Sequence, residues 1–295
     1  MLIGQLFNGL VIGCMYALVA AGMTLVMGTL DRLNLAHTEV FAAGGFGAVL
    51  AMGAGISVWW ALPIAFFVGG LLGVLVEFVS FRKFKSQDAR ITAALSSLAF
   101  GLVLIDLSRK VWGGEPLGLD LSGGAFAMAF EFSGVRFSWL QFVIVGVALV
   151  LCAGLHLMVN YTDFGRRVRA VAESPPNAAL LGVNVVRVAQ TVFFVSSALA
   201  AVAGLMVALR GASVNADIGL SFGLKAIAIM AIGGMGDLRG ALLAGLLVGV
   251  MEALLFHFGL GRLGEMAVWV LMVLLILWRP GGMFGAGSHG REQRV

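Results

Sequence analysis

Asn34, His37 and Glu39 lie in LDRLNLAHTEVF, a short polar interruption between two long apolar runs. An ionisable side chain at the centre of a membrane span costs roughly 2.5–3.5 kcal/mol on insertion scales, so such groups face protein or water. Asn34 is placed to cap a helix beginning at Leu35. A helix start there carries partial positive charge into the break, where an anionic substrate group could sit. His37 and Glu39 are two residues apart, hence on different faces of a helix, and cannot hold one metal as a helical pair. No H-E-x-x-H occurs, which argues against a zinc protease. The residues read either as caps and interhelical bonds or as part of a pathway.

A second interruption is Gly233, Gly234, Gly236 and Asp237. Four small or turn-forming residues in five suit a tight reversal between helices. A lone G-x-G is a weak phosphate signal, and the strand–turn–helix context of a nucleotide site is missing. A Walker A loop needs G-x-x-x-x-G-K-[ST], and the chain contains no Gly-Lys dipeptide. No nucleophile–base spacing appears either. If ATP drives a process here, another polypeptide hydrolyses it.

The third segment is a polar, arginine-rich island, 161–187 (YTDFGRRVRAVAESPPNAALLGVNVVR). Ser174 before Pro175 and Pro176 is a helix-start signal: a capping hydroxyl, then a ring whose missing N–H would be unsatisfied anyway. Gly182 is a plausible stop. Between them Ala178, Ala179 and Leu181 form a small apolar face that so short a helix cannot bury on itself. It is expected to dock into a partner's groove, or else to lie on headgroups as a connector. Glu173 closes the stretch on its N-terminal side.

These segments hang on membrane helices. Sixty per cent of the 295 residues are hydrophobic and 12 % are charged. A span needs about 20 apolar residues, and runs occur at 3–28, 35–54, 57–81, 91–108, 138–160, 188–210, 222–235, 240–258 and 265–279. Eight or nine spans follow, the stretch 222–258 being ambiguous. Ten-residue alternating segments are absent, which argues against a barrel, and an all-α polytopic bundle is expected.

Loop 82–90 carries Arg82, Lys83, Lys85 and Arg90 against Asp88, net +3, and the island has four arginines against Asp163 and Glu173, net +2. Segment 109–137 balances Arg109, Lys110 and Arg136 against Glu115, Asp120 and Glu131. The positive-inside rule puts the first two in the cytoplasm, the third outside, and the N-terminus outside. Nine spans then leave the C-terminus in the cytoplasm. The first run has no basic leader and reads as a retained helix. Residues 1–282 form the membrane domain and 283–295 a short disordered tail. Basic residues sit at membrane edges without an aromatic array, which does not suggest nucleic acid. Cys14 and Cys152 fall in spans, as inert buried thiols. Glu77, Asp106, Glu252, His156 and His257 sit near span ends and read as snorkelling or interhelical pairs. Glycine pairs four apart (9 and 13, 69 and 73, 245 and 249) mark close helix contacts, within the chain or between subunits.

The run GRRVRAVAESPPNAALLGVNVVRV resembles the coupling loop of ABC-importer permeases of the branched-chain (hydrophobic) amino-acid uptake family. NGLVIGCMYALVAAGMTLVMG followed by LNLAHTEVFAAGGF, then LKAIAIMAIGGMGDLRGALLAGLLVGVMEAL, then WRPGGMFG agree with it in order, from about residue 5 to 285. The likeness is to the H-type rather than the M-type subunit. It implies an inner-membrane permease of the bacterial cell that itself binds no cofactor. Its expected partners are an M-type subunit, two cytoplasmic ATPases holding ATP and magnesium, a periplasmic binding protein and membrane lipid. Glu173, Ser174, Pro175, Ala178, Ala179, Leu181 and Gly182 would couple to the ATPases. Asn34, His37, Thr38, Glu39 and the glycine turn (Gly233, Gly234, Gly236, Asp237) are the candidates for the translocation pathway. The chain departs from the family at Thr38, where glycine is usual, which puts the substrate in question: leucine, isoleucine and valine, or urea, amides or aromatic acids. The rival from the residues alone is an ion-gradient-driven secondary transporter, which would need paired carboxylates or unwound carbonyls at the midplane.

Overall fold

The computed structural model describes residues 2–84, 89–119, 128–132 and 135–285. Lys85, Asp88 and Asp120 of the charge count lie outside the described residues, as do 286–295 of the expected tail. The chain forms α1 (Leu2–Leu30), α2 (His37–Gly53), α3 (Val58–Val76) prolonged by a π-turn (Glu77–Phe81), and α4 (Arg90–Trp112). After an irregular segment come α5 (Trp139–Tyr161), α6 (Asp163–Glu173), α7 (Pro175–Leu180) and α8 (Val185–Gly211). The last part holds α9 (Ile218–Gly233), α10 (Leu238–His257), a 3-10 turn (Gly261–Leu263) and α11 (Gly264–Trp278). Two strand pairs were not expected: β1 (Leu117–Gly118) with β4 (Ser213–Val214), and β2 (Ala129–Phe132) with β3 (Val135–Ser138).

Seven helices among the described residues are long and apolar enough to cross a membrane. The expected eight or nine included 35–54 and 222–235, which form the shorter α2, of 17 residues, and α9, of 16. Both pack inside the bundle, where a helix need not match the bilayer thickness. Helices α1 and α8 are buried through most of their length. In contrast α3, α4, α5 and α11 turn large apolar side chains outward. Trp59, Trp60, Trp139 and Trp278 are exposed, as membrane-interface anchors should be.

Two ends can be told apart by cross-links between helices. At one, Arg210 of α8 bonds Asn8 of α1 (2.7 Å), Arg109 of α4 pairs with Asp217 (2.6 Å), and β1 meets β4. At the other, Asp31 pairs with Arg90 (2.7 Å), and Gly28 lies against Gly236.

Glycines let backbones touch where lipid gives helices no hydrophobic reason to associate. A Cβ on Gly249 of α10 would overlap the Gly13 nitrogen of α1, and one on Gly13 would come 2.8 Å from the Leu246 Cα. Gly69 and Gly73 of α3 meet Ala201 and Ser197 of α8 in the same way. All three glycine pairs therefore pack within the chain. Replacing Gly249 by Val must part α1 from α10, and overpacking of this kind costs about 1–3 kcal/mol or more. Thermal unfolding in detergent should show a clear drop for Gly249→Val. A Cβ on Gly146 of α5 would meet nothing within 4 Å, so Gly146→Ala should leave the midpoint unchanged or raise it.

Candidate functional site

Residues 31–36 leave α1 at Asp31, whose φ of 53° turns the chain sharply, and run back into the bundle. Such irregular backbone needs partners away from water. The Leu35 N–H donates to Ser97 Oγ of α4 (3.0 Å). Helix α2 starts at His37 rather than Leu35, and Ala36 occupies the cap position with no side-chain cap. The expected Asn34 cap is therefore not formed. Asn34 is buried, and neither of its side-chain polar atoms has a hydrogen-bond partner. Two residues separate it from the helix start, too far for the short Asx side chain to close a cap.

His37 is fully buried opposite the middle of α1. Its Nε2 lies 3.3 Å from the Val19 carbonyl oxygen, and its Nδ1 lies 3.4 Å from Ser196 Oγ of α8. Ser196 in turn donates to the Gly22 carbonyl (2.8 Å), so one imidazole ties α1, α2 and α8 together. The Thr38 hydroxyl lies 3.1 Å from the Leu35 carbonyl and 3.0 Å from Glu39 Oε1, and donates to one at a time. Glu39 is buried beside α9, where a Cβ on Gly219 would come 3.0 Å from its Oε2. His37 and Glu39 do point to different neighbours, as their spacing requires. No cluster of three metal-ligating side chains occurs among the described residues.

The second interruption is a turn. Gly234 and Gly236 have φ of 110° and 94°, values that suit glycine. The Asp237 carboxylate accepts from the Gly240 N–H (2.9 Å), capping α10. The chain's far end packs on this turn: Met283 and Phe284 donate to the carbonyls of Ile232 and Gly233 (2.8 and 3.1 Å). Residues 283–285, at the start of the expected tail, thus pack against the bundle. Gly236 of this turn packs against Gly28, in the last turn of α1.

In the island, Ser174 accepts from the Asn177 N–H (3.4 Å) and starts α7 with Pro175 at its first position. Gly182 has φ of 82° and donates to the Ala179 carbonyl (3.0 Å), ending the helix. Asn184 then caps α8 by accepting from the Arg187 N–H (3.0 Å). The apolar face divides differently from expectation. Ala178 is 2 % exposed and faces the bundle, whereas Leu180 and Leu181 are 86 % and 82 % exposed. Ala179, Gly182 and Glu173 are exposed as well. Helix α6 was missed as a helix. Thr162 caps it, Gly165, Val168 and Val171 seat it on the bundle, Arg166 and Arg167 are exposed, and Arg169 donates back to the Val159 carbonyl of α5. The four-and-three spacing of Phe164, Val168 and Val171 was the available signal.

Sequence reasoning also missed a buried charge cluster. Lys225 of α9 pairs with Glu252 of α10 (3.0 Å) and donates to the Tyr16 hydroxyl (3.2 Å), which itself donates to Glu252 Oε2 (2.8 Å). The pair is 16 % and 14 % exposed, so Glu252 is an interhelical partner and does not snorkel. The signal was a lone lysine within an apolar run, since a buried charge needs a partner.

The family model described as "Branched-chain amino acid transport system / permease component" matches residues 5–278. The chain belongs to this family. LivH, a high-affinity branched-chain amino acid transport system permease protein of Escherichia coli K12, is 31 % identical, over 95 % of this chain and 94 % of that protein. BraD, the permease protein of the same description from Pseudomonas aeruginosa, is 30 % identical over 95 % of each. LivM of Salmonella typhimurium, also a permease protein of such a system, is 27 % identical over 91 % of this chain and 67 % of that protein. The permease is a multi-pass inner-membrane transport subunit rather than an enzyme.

Thr38, where the resemblance expects glycine, is accommodated by a glycine across the interface. A Cβ on Gly223 of the permease would overlap Thr38 Cγ2. Gly223→Ala should therefore destabilise the permease, and adding Thr38→Gly should restore most of the loss, because contacting residues couple. Thermal midpoints of the two single variants and the double variant measure this. A double variant no better than Gly223→Ala would contradict the contact.

Proposed function

We propose that this permease is one half of the membrane channel of an ATP-driven importer for branched-chain or related hydrophobic amino acids. It crosses the membrane nine times, with its N-terminus outside and its C-terminus in the cytoplasm. Contacts at the two helix ends support that path, because Asn8 and Arg210 share one end while Asp31, Arg90 and Gly285 share the other. The excess of arginine in α6 and near Arg82 and Arg90 supports the orientation. An M-type subunit is the expected partner, and this chain's similarity to LivM supports a pairing of two related halves. A binding protein delivers substrate to the outer face and two ATPases act from the cytoplasm.

The observation that carries the coupling role is α7. A proline-started, glycine-stopped turn holds Leu180 and Leu181 almost fully out of the bundle, on an α6 seat that is itself buried on one side. Two exposed leucines on a rigid turn suit a groove in a moving partner. Closure of the ATPase dimer displaces α7 and α6, and through Thr162 and α5 displaces the bundle. Differential contacts in the two states supply the coupling. His37 and Glu39 line the part of the core that would rearrange, with Asn34 as an unpaired polar group beside it.

Cysteine at Leu181 should cross-link to the ATPase in the assembled importer. Gly182→Arg places a side chain at positive φ, which costs about 1–2 kcal/mol, and Glu173→Arg reverses an exposed charge beside the turn. Both should reduce transport per ATP hydrolysed while leaving membrane insertion intact. Cross-links to lipid alone, with unchanged transport in both variants, would overturn the assignment.

A further inference from the structure

Between the start of α1, the end of α8, and α9, α10 and α11 lies a cleft of about 330 Å3, within the roughly 300–1,000 Å3 typical of small-molecule sites. Two cations, Arg210 and Lys225, and two anions, Glu252 and Glu265, line it. Lys225 and Glu252 neutralise each other at 3.0 Å, with Tyr16 bridging them. That leaves one unlike pair uncommitted. Arg210 donates one Nη2 bond to Asn8 (2.7 Å) and pairs with no carboxylate among the described residues. Glu265 reaches only Lys225, at 3.7 Å, and is otherwise open to solvent. The Gln5 Oε1 is buried in the same cleft without a hydrogen-bond partner.

We infer that this cleft is a subsite of the permease for the zwitterionic head of an α-amino acid, with Arg210 taking the carboxylate and Glu265 and Gln5 taking the ammonium. A guanidinium held by one nitrogen keeps its remaining donors for a bidentate carboxylate. A carboxylate and an amide oxygen are the acceptors an ammonium needs. Ile12, Ala253 and Phe256 supply apolar wall for a hydrocarbon side chain. The four side-chain charges sum to zero, so a ligand with both charges leaves none unbalanced, whereas a lone cation or anion would. A structural ion pair explains Lys225 and Glu252, and the bond to Asn8 uses one donor of Arg210, which leaves the other guanidinium donors and the buried Gln5 oxygen without a partner among the described residues. The inference rests on the amino-acid transport reading and places recognition in the permease itself, at the end where substrate would arrive. The head of a phosphatidylethanolamine carries the same two charges, so the test separates the two sources.

Leucine binding is measured by equilibrium dialysis on the assembled importer in nanodiscs, without binding protein, against leucinamide (no carboxylate) and 4-methylpentanoate (no ammonium). Arg210→Gln and Glu265→Gln should each weaken leucine binding by roughly tenfold, the value of one charge-assisted hydrogen bond. Preference for leucine over leucinamide should shrink only in Arg210→Gln, and preference over 4-methylpentanoate only in Glu265→Gln. A merely structural role would lower both preferences together or neither. Unaltered affinity and discrimination in both variants would overturn the subsite. Phosphatidylethanolamine retained by the wild type through these residues, with no displacement by leucine, would also overturn it in favour of a lipid head. ATP-driven uptake by the wild type in proteoliposomes tests transport separately. Intact uptake with unaltered variant binding defeats the subsite alone, and absent uptake with the differential binding intact defeats the transport reading alone.

Discussion

Helices α1 and α8 can occupy the centre of this bundle because their neighbours approach to backbone contact. Lipid tails are as apolar as leucine, so burial of hydrocarbon does not by itself bring these helices together. Close packing does, and it requires the residues that face one another to be small. Gly9, Gly13 and Ala17 of α1 meet Gly245, Gly249 and Ala253 of α10, while Ala201 and Gly204 of α8 meet Gly44, Phe41 and Gly69. Close packing is intolerant of added volume. A subunit that must change shape in a cycle is then built of rigid pairs that move as units, with the irregular segments between them taking up the change.

The interior break at 31–36 depends on that packing. Its backbone is irregular where water is scarce, so its groups must be satisfied by protein. Ser97 supplies one bond to Leu35, and His37 spans from Val19 to Ser196. The glycine turn at 233–237 closes the same end against Gly28 and is itself covered by Met283–Gly285. In the proposed cycle, a movement of α6 and α7 would pass to α1 and α8, on which α6 packs and which share His37 with α2. Coupling of this kind needs a two-state element that both sites bias, and the irregular backbone at 31–36 is the proposed place for it.

Much of this was legible in the residues. Apolar runs located the long helices, the Ser–Pro–Pro signal located α7, and the Gly-Gly-x-Gly-Asp run located the turn before α10. The reasons are local: chain length against bilayer thickness, a capping hydroxyl, and positive φ. What the sequence hid was set by tertiary packing. Asn34 looked like a cap because its type favours caps, but the helix starts later, where α1 and α8 surround His37. Ala178 turned inward and Leu180 joined Leu181 outside because the direction in which α7 faces its own bundle is not written in a one-and-a-half-turn pattern. Lys225 and Glu252 come from consecutive helices, but Tyr16 lies 209 and 236 residues away from them on α1, so no spacing rule could join the three.

The most direct measurement is uptake of labelled leucine into sealed proteoliposomes that hold the permease with its membrane partner and ATPases. Binding protein is supplied outside and ATP inside. Uptake should require ATP and the ATPase subunits and persist when ionophores dissipate every ion gradient. Uptake by the purified chain alone, driven by an ion gradient and indifferent to ATP, would contradict the account.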